Sequence, residues 1–313
     1  MKKQKKFIIR YVLFFIIVMI AGTVGIADAP VQNQENQPAE NVFIEQEETK
    51  DITLQANLLN ILYLDVGQAD SILIHNQGKT MLIDAGNNED GEKLVSYIQS
   101  LGIQKIDYLI GTHAHEDHIG GLDDIIENFT IGALYMPYDT RTTTKTYKDV
   151  IQMANEKNLK ILNPKVGDTM TLGEAQGTIM AVDNENPEEV NNTSIVLQLE
   201  YGTQKYLFMG DAESQVESSR QWEDIDVLKV GHHGSNTSSS VNFIKQVQPE
   251  LAIVSVGEGN TYNLPKQNIM ERLESIGAKI YRTDESGTIY LTSDGTTNTI
   301  TKVQTDTNGG EEE

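Results

Sequence analysis

Between residues 58 and 303, apolar segments of strand length alternate with amphipathic helical patterns, which restricts the chain to folds that combine sheets with helices. In the first half, LLNILYLDVG, DSILIH, TMLIDAG and IDYLIGT predict strands, and EKLVSYIQSLG predicts a helix that Gly102 ends. The second half repeats this style, with two strands around Gly202, the strands DVLKVGHHG and LAIVSV, and the helix KQNIMERLESIG. The alternation predicts an α/β sandwich of two sheets with helices on the outside.

Several predicted strands end directly in histidine or aspartate. The segment THAHEDHIGG, residues 112–121, holds three of the six histidines in the chain and follows the strand IDYLIGT. Asp211 follows a second apolar strand, and His232 and His233 follow a third. Imidazole and carboxylate groups at this density are typical ligands of borderline divalent metals. Because one loop cannot complete a catalytic metal site, we expect the three strand ends to meet.

Each of these segments also has a structural interpretation. The histidine-rich segment could be a solvated polar loop, Asp211 could cap a helix, and the histidine pair could lie in a surface loop. Their occurrence together in one chain favours ligands over these alternatives. Gly120 and Gly121 are expected to permit a tight turn into the next helix, and His75, on a strand away from the motifs, is expected to be structural.

The chain contains no cysteine, which excludes disulfides, thiolate metal sites and a catalytic thiol. Any metal must therefore bind through histidine, aspartate, glutamate or asparagine. This ligand set suits Zn²⁺, with Mn²⁺ as the alternative.

The first 27 residues are predicted to be a targeting segment, either a signal peptide or a signal anchor. An apolar stretch from about residue 11 to residue 27 is long enough to span a bilayer and follows five basic residues: Lys2, Lys3, Lys5, Lys6 and Arg10. Residues 28–55 are predicted to be a disordered acidic and polar linker, 56–303 the folded domain, and 304–313 a disordered tail. We therefore expect an extracellular domain, either secreted or anchored to the outer face of the cytoplasmic membrane.

The exported part is strongly acidic. The formal net charge of the chain is −22, and the first 27 residues contribute five positive and no negative charges, so the remainder carries −27. Tight binding of duplex nucleic acid needs a basic surface, and we do not expect it here. A local cationic metal site can still attract a phosphate, so the expected partner is a phosphodiester or another small or polymeric substrate.

Six segments, taken in order, resemble the metallo-β-lactamase superfamily, and more narrowly the hydrolase domain of ComEC-type competence proteins and its free-standing relatives. These segments are LDVGQADSILI, MLIDAG, THAHEDHIGGL, NNTSIVLQL, FMGDAE and DVLKVGHHGSNTS. The resemblance extends from about Leu58 to Gly295. It implies a four-layer αββα sandwich with two divalent metal ions bound along the sheet edges.

The resemblance also implies a set of ligands. His113 and His115 would hold the first metal, Asp117 and His118 the second, and Asp211 would bridge them. One of the tandem histidines would complete the second site, with His233 favoured and His232 less certain. The resemblance further implies supporting roles for Asp84, under the metal-binding loop, and for three residues of a loop at the rim: Asp65, Gln68 and Asp70.

The chain departs from the superfamily pattern at two places. Where a third histidine for the first metal is usual, this sequence has Asn191 and Asn192, which suggests a weaker first site and makes Asn192 an uncertain candidate ligand. In the late segment NTYNLP, Leu264 stands where relatives often have a histidine, so that histidine's role is missing here.

These observations predict an exported metal-dependent hydrolase, of the phosphodiesterase or nuclease type. Two divalent ions about 3.5–4 Å apart lower the pKa of a shared water towards neutrality and so supply a hydroxide nucleophile. Asp117 would orient that nucleophile or accept its proton, and His233 is the second candidate catalytic residue. The alternatives are a β-lactamase or other amide or ester hydrolase, and a non-catalytic exported binding protein with a degenerate metal site.

Overall fold

The computed structural model describes residues 42–46, 49, 52–137, 143–183 and 189–303. Over this part of the chain the strands are β1 (Val42–Glu45), β2 (Leu59–Tyr63), β3 (Ile72–Asn76), β4 (Lys79–Ile83), β5 (Lys105–Ile110), β6 (Thr130–Tyr135), β7 (Ile161–Leu162), β8 (Thr169–Leu172), β9 (Ala175–Ala181), β10 (Val196–Tyr201), β11 (Gln204–Phe208), β12 (Val227–Lys229), β13 (Leu251–Val254), β14 (Lys279–Arg282), β15 (Thr288–Ser293) and β16 (Thr297–Val303).

The helices of the same part are α1 (Gly91–Ser100), α2 (Glu116–Ile119), α3 (Leu122–Asn128), α4 (Lys145–Glu156), α5 (Ser214–Ser218), α6 (Val241–Val247), α7 (Gln267–Glu274) and α8 (Thr283–Ser286). Short 3₁₀ segments lie at Asn88–Asp90, Val190–Thr193 and Gly231–Gly234. Among the helices of the described residues, none has the length and apolar character needed to cross a membrane.

The strands form two mixed sheets. The first has the order β1-β16-β15-β2-β3-β4-β5-β6-β7, and the second has the order β14-β13-β12-β11-β10-β9-β8. In the first sheet β4 runs parallel to β5, with Ile83 opposite Ile110. In the second, β11, β12 and β13 are parallel, and Lys229 lies opposite both Phe208 and Ile253. Because parallel strands in register finish at the same level, the residues that follow them meet at one edge.

The core has three apolar layers, which follow from the alternation of side chains along the strands. Residues of both sheets interdigitate in the central layer, among them Ile61, Ile74, Leu197 and Phe208. A second layer packs α1, α3 and α4 onto the first sheet, and a third packs α6 and α7 onto the second sheet. This arrangement confirms the predicted four-layer αββα sandwich.

Most of the predicted elements from residue 58 to residue 293 are confirmed. The helix expected before Gly102 is α1, which buries Leu94, Val95 and Ile98 at helical spacing. Full burial of side chains of this kind contributes about 1.5–3 kcal/mol each. The sequence analysis missed β16, whose segment TNTITKV has four threonine or asparagine residues among seven and therefore lacks the apolar pattern of a buried strand.

The predicted disordered linker, residues 28–55, needs correction over its described part. Residues 42–45 form β1, which pairs parallel to β16 at the edge of the first sheet. The Phe43 ring packs against Tyr281, and Glu45 forms an ion pair with Lys279. These contacts stabilise a short strand. Its apolar residues are too few, among acidic and amide residues, to predict a strand from the sequence. Residues 28–41, 47–48 and 50–51 of the linker, the predicted signal segment 1–27 and the predicted tail 304–313 lie outside the described residues.

Candidate metal centre

Loops from both sheets converge at one edge of the sandwich. In the first sheet, Asp84 follows β4 and the segment of residues 112–121 follows β5. In the second, Asp211 follows β11, and His232 and His233 follow β12. The parallel registers described above bring these strand ends level, and the structure thereby joins residues that are up to 149 positions apart in the sequence, from Asp84 to His233.

The histidine-rich segment runs from the end of β5 into the short helix α2, with His115 as the extended residue before the helix. Gly120 and Gly121 have ordinary negative φ angles of −56° and −93°. A Cβ on Gly120 would lie 2.2 Å from the backbone carbon of Asn87, and one on Gly121 would lie 2.6 Å from the carbonyl oxygen of Ala85. The glycine pair therefore allows close packing of two backbones, and the expected tight turn is not the reason for it.

The loop Gly231–Gly234 has an unusual backbone. His232 (φ 48°, ψ 48°) and His233 (φ 50°, ψ 26°) both occupy the left-handed region, which costs a non-glycine residue about 1–2 kcal/mol. Such strain is typically found where a functional side chain must be aimed. Here it directs two adjacent histidines at the same carboxylate, that of Asp211.

Asp117, His118, Asp211 and His233 form what we name the inner cluster. One potential ligand atom from each of these four side chains lies within 4.8 Å of the others. Oδ1 of Asp211 is 3.2 Å from Nε2 of His118 and 3.7 Å from Nε2 of His233. Nε2 of His233 is also 3.4 Å from Oδ2 of Asp117. These distances are close to the edges of a coordination polyhedron around one ion.

His113, His115 and His232 form what we name the outer group, on the opposite side of the Asp211 carboxylate. Oδ2 of Asp211 lies 3.9 Å from Nε2 of His113 and 3.7 Å from Nε2 of His232. Nε2 of His113 is in turn 3.1 Å from Nδ1 of His115. The two oxygens of one buried carboxylate therefore face two separate sets of imidazole nitrogens.

Asp84 supports the inner cluster from behind. Its Oδ2 lies 2.8 Å from Nδ1 of His118, and its two oxygens accept hydrogen bonds from the backbone N–H and the hydroxyl of Thr112 at 2.7 and 2.8 Å. Asp84 also has a left-handed φ of 60°. With Nδ1 of His118 directed at a carboxylate, its Nε2 is the nitrogen available to a metal.

Asp70 and Lys229 lie behind His233. Nζ of Lys229, which is fully buried, donates to Oδ2 of Asp70 at 2.7 Å, and Oδ1 of Asp70 is 3.4 Å from Nδ1 of His233. The same Nδ1 lies 2.9 Å from the carbonyl oxygen of Ser255. Asp70 thus lies in the supporting position that the resemblance implied, although its side chain is buried beneath a candidate ligand and does not line the rim.

The sequence analysis missed Lys229. A lysine inside an otherwise apolar strand, DVLKV, is a signal that could have pointed to it, since lysine is almost never fully buried without a partner.

Hydroxyl groups support the outer group. Nδ1 of His113 lies 3.2 Å from the hydroxyl of Thr112 and 3.4 Å from that of Ser194, which also accepts a hydrogen bond from the backbone N–H of Asp211. Nδ1 of His232 lies 2.9 Å from the hydroxyl of Thr237.

The remaining predicted residues lie around this centre. The amide oxygen of Asn192 accepts a hydrogen bond from the backbone N–H of Glu213, so that oxygen is used in holding a loop. Asp65 is half-buried and accepts from the N–H of Gly67, while the side-chain oxygen of Gln68 accepts from the N–H of Gly257. These last two residues shape the loops beside the centre. His75 lies on β3, where its ring pairs with the hydroxyl of Thr80.

Charge in the inner cluster favours bound cations. Burial by itself lowers the pKa of His118, but the neighbouring carboxylates, first Asp211 and then Asp84, outweigh it and raise this pKa well above its usual value. Burial is outweighed in the same way at His233, whose pKa rises to about 10. Burial raises the pKa of Asp117, but the charge of His118 lowers it further, to about 2. In the metal-free state, protons on two histidines therefore balance the carboxylates.

The outer group behaves differently. The pKa of His113 lies well below its usual value, because burial and the charge of His118 oppose its protonation. A neutral imidazole presents a lone pair, as a metal ligand must.

Buried polar atoms without partners test whether a metal fits here. Within the described residues, Nε2 of His118, Nε2 of His233 and Oδ1 of Asp211 are buried and lack a hydrogen-bond partner, and they converge on the centre of the inner cluster. Unsatisfied buried polar atoms are rare because each costs about 1–3 kcal/mol. Here three such atoms face the same position, and all three are of the types that bind divalent ions. The inner cluster is therefore capable of holding a metal.

Comparison with known proteins agrees with this geometry. The family model described as Metallo-beta-lactamase superfamily matches residues 64–258. The chain is 34% identical over 249 residues to ComE operon protein 3 of Bacillus subtilis (strain 168), which covers 72% of this chain and 32% of that protein. It is 30% identical over 235 residues to Recombination protein 2 of Haemophilus influenzae, covering 73% of this chain and 28% of that one. The chain thus spans about a third of the length of the curated relatives it matches.

The fold has counterparts among solved structures. The metallo-beta-lactamase fold protein YhfI from Bacillus subtilis superposes with a TM-score of 0.52 at 13% identity, over 75% of this chain and 100% of that one. At this identity the likeness concerns the fold alone.

Proposed function

Because the chain belongs to the metallo-beta-lactamase superfamily, we propose that it is a metal-dependent hydrolase that cleaves phosphodiester bonds. The inner cluster would hold one divalent ion and the outer group a second, with Asp211 between them. Zn²⁺ or Mn²⁺ suits these nitrogen and oxygen ligands. When bound, such an ion pair supplies an activated water and stabilises negative charge that develops on the substrate.

The observation that carries the proposal is the position of the Asp211 carboxylate. It is buried, one oxygen lies 3.2 Å from His118, and the other lies 3.9 Å from His113. A carboxylate with one oxygen towards each of two imidazole sets is suited to lie between two divalent ions about 3.5–4 Å apart.

Asp117 is the residue proposed to orient the nucleophilic water. Its side chain is 32% exposed, whereas the other three members of the inner cluster are at most 2% exposed. It therefore reaches both the ion position and the solvent from which a nucleophilic water comes. Its low pKa keeps the carboxylate ionised at neutral pH, as a hydrogen-bond acceptor for that water must be. His233 would act as a ligand that fixes Asp117 at 3.4 Å.

The proposed substrate class is a phosphodiester, and nucleic acid is favoured within it. Support comes from the relatives, which are named as a ComE operon protein and a recombination protein. The net charge of −27 outside the first 27 residues argues against tight binding of duplexes. We therefore propose that single strands or short fragments are bound mainly through the metal ions. We further propose that the domain acts outside the cytoplasmic membrane, attached or released through the N-terminal segment.

The test is an assay of the full-length protein against three substrates, bis(p-nitrophenyl) phosphate, single-stranded DNA and nitrocefin, each with added Zn²⁺ or Mn²⁺ and with a chelator. We expect hydrolysis of the two phosphodiesters, loss of that activity in chelator, and recovery on adding metal. Asp117→Asn, which removes the carboxylate that orients the water, should lower kcat by about 10²-fold or more.

His75→Gln is the matched control, because it changes a histidine outside the centre and should leave the activity unchanged. Activity that survives the chelator would contradict a metal-dependent mechanism. Turnover of nitrocefin without turnover of either phosphodiester would identify an amide hydrolase instead.

A further inference from the structure

We infer that His232 is the last protein ligand of the outer metal, so that the tandem histidines serve one metal each. This inference rests on the proposed function and assigns a role that the proposed dinuclear site leaves open. Without His232, the outer metal would have two imidazoles, from His113 and His115, and one oxygen of Asp211.

The two tandem histidines approach different oxygens of the Asp211 carboxylate. His233 approaches Oδ1 and His232 approaches Oδ2, in both cases with Nε2 at 3.7 Å. Oδ2 is also the oxygen that faces His113. His232 therefore lies on the side of the outer group, although it is adjacent in sequence to a member of the inner cluster.

The ring of His232 is also held by contacts to its second nitrogen. Its Nδ1 lies 2.9 Å from the hydroxyl of Thr237 and 3.5 Å from a carboxylate oxygen of Glu213. The Glu213 carboxylate can only accept and the Asn191 amide nitrogen, also at 3.5 Å, can only donate, while the nearer Thr237 hydroxyl can do either. Nδ1 is therefore the nitrogen held by neighbouring residues, and Nε2 is the nitrogen directed at Asp211. Imidazoles that bind metals in proteins are held in this way by their second nitrogen.

The backbone conformation at positions 232 and 233 also aims both side chains at one carboxylate. Two successive left-handed residues at positions 232 and 233 turn both side chains onto Asp211. Gly234, with φ +79°, continues the turn, and a Cβ there would lie 2.6 Å from Cβ of Pro265. A left-handed residue at each of the two positions supports a functional role for both side chains.

Asn191 and Asn192 are the rival ligands. The oxygen of Asn192 already accepts from the backbone of Glu213. The amide nitrogen of Asn191 lies 3.3 Å from Glu213 and 3.5 Å from Nδ1 of His232, so this side chain packs behind the imidazole. Its Oδ1 is buried and has no hydrogen-bond partner within the described residues. Asn191 is therefore the rival that an experiment must separate from His232.

The experiment measures metal binding to the metal-free full-length protein. Isothermal titration with Zn²⁺ and with Mn²⁺, together with metal content by mass spectrometry after dialysis, gives the number and affinity of bound ions. We expect two ions in the wild-type protein. His232→Gln should bind the inner ion with normal affinity. Its affinity for the outer ion should fall by more than about 100-fold, because loss of a hydrogen bond to a ligand alone lowers metal affinity by roughly 10–100-fold.

A direct readout comes from ¹⁵N NMR of the histidine rings. On addition of Zn²⁺, we expect the Nε2 resonance of His232 to shift and its Nδ1 to stay protonated, whatever the catalytic activity. His75→Gln supplies the matched control and should bind two ions. Thr237→Val, which leaves the imidazole in place and removes its partner, should weaken only the outer ion.

The outcomes separate the two proposals. If the wild-type protein binds fewer than two ions or cleaves no phosphodiester, the proposed function fails. If it binds two ions and His232→Gln still binds both with unchanged affinity, the inference about His232 alone is wrong. If Asn191→Ala loses the outer ion and His232→Gln keeps it, Asn191 is the ligand of that ion. Two bound ions with a raised KM in His232→Gln would make His232 a substrate-binding residue and would equally overturn the inference.

Discussion

The inner cluster and the outer group share Asp211 but are supported by different chemistry. Behind the inner cluster, carboxylates face Nδ1 of His118 and Nδ1 of His233, at 2.8 Å from Asp84 and 3.4 Å from Asp70. Behind His113 of the outer group are the hydroxyls of Thr112 and Ser194. A carboxylate behind an imidazole increases its basicity as a ligand, whereas a hydroxyl mainly orients it.

Exposure follows this division only in part, because His113 of the outer group is fully buried and Asp117 of the inner cluster is 32% exposed. His118 and His233 are buried, whereas His115 is exposed and the side chain of His232 is 25% exposed. The carboxylates behind His118 and His233 therefore prepare the inner position to hold an ion more firmly than the outer position. We therefore expect the inner ion to bind at least about tenfold more tightly than the outer ion, given the effect of such outer hydrogen bonds.

The largest expected effect comes from removing what the two positions share. Asp211→Asn takes away the negative charge that both ions share and replaces one of the two ligand oxygens with an amide nitrogen that does not bind a cation. We expect both ions to be lost at micromolar metal and kcat/KM for bis(p-nitrophenyl) phosphate to fall by on the order of 10⁴-fold. Metal content and steady-state kinetics provide the measurements.

Asp107→Asn is the matched control, because this partly exposed aspartate pairs with Lys79 and Lys105 away from the centre. It should retain both ions. Retention of one tightly bound ion by Asp211→Asn would mean that the two positions are independent, against the shared carboxylate.

The second effect concerns the support that only the inner cluster has. In Lys229→Met, the buried carboxylate of Asp70 loses its cation. Removing one partner of a buried ion pair typically destabilises a protein by about 3–5 kcal/mol. We expect a loss of that size in urea unfolding of the metal-free protein, with weaker inner-ion binding.

A double substitution tests whether the unpaired charge of Asp70 causes this loss of stability. Lys229→Met combined with Asp70→Leu removes both charges, and it should recover much of the unfolding free energy without recovering inner-ion affinity. An unchanged unfolding free energy in Lys229→Met alone would show that His233 is sufficient to compensate Asp70.

The two regions also differ in how much of them could be predicted. The strand-end histidines and Asp211 carry a strong sequence signal, because the ligand types stand directly after apolar strands. Lys229 was missed because its partner, Asp70, is 159 residues away and the contact depends on how the two sheets face each other. The sequence also could not predict that His232 and His233 approach different oxygens of Asp211. That arrangement depends on left-handed φ angles at two residues that are not glycine.

The same limit applies to the fold. Strands with buried apolar residues, such as β5 and β13, were predictable from composition alone. β1 was not, because its pairing with β16 and its contacts with Tyr281 and Lys279 join the two ends of the domain.

A smaller effect should distinguish carboxylate from hydroxyl support. Asp84→Asn keeps an oxygen near His118 but removes the charge, and it should weaken the inner ion by roughly 10–100-fold. Ser194→Ala removes one of two hydroxyls beside His113 and should weaken the outer ion by no more than a few-fold. Titration of each variant with Zn²⁺ gives both affinities. Equal effects of the two changes would contradict the distinction drawn between the two positions.

The smallest effect is a pH dependence that belongs to the inner cluster. In the metal-free protein the pKa of His233 is raised to about 10 and that of His118 is raised as well. A histidine with a raised pKa stabilises the fold below its unfolded pKa of about 6.5, and this contribution is lost as the pH rises through the folded value. Metal-free protein should therefore become less stable between pH 6.5 and 10.

The metal-loaded protein should not show this loss from its histidines, because bound ions already keep them deprotonated. The difference in Tm between the loaded and metal-free forms should thus widen with pH, by roughly 5 °C, equal to about 2 kcal/mol for a domain of this size. Thermal unfolding at several pH values measures it, and His233→Gln should reduce the widening. His113→Gln should not, because the pKa of His113 is lowered and its ring is already neutral in this range. A widening that survives His233→Gln unchanged would place the titrating group outside the inner cluster.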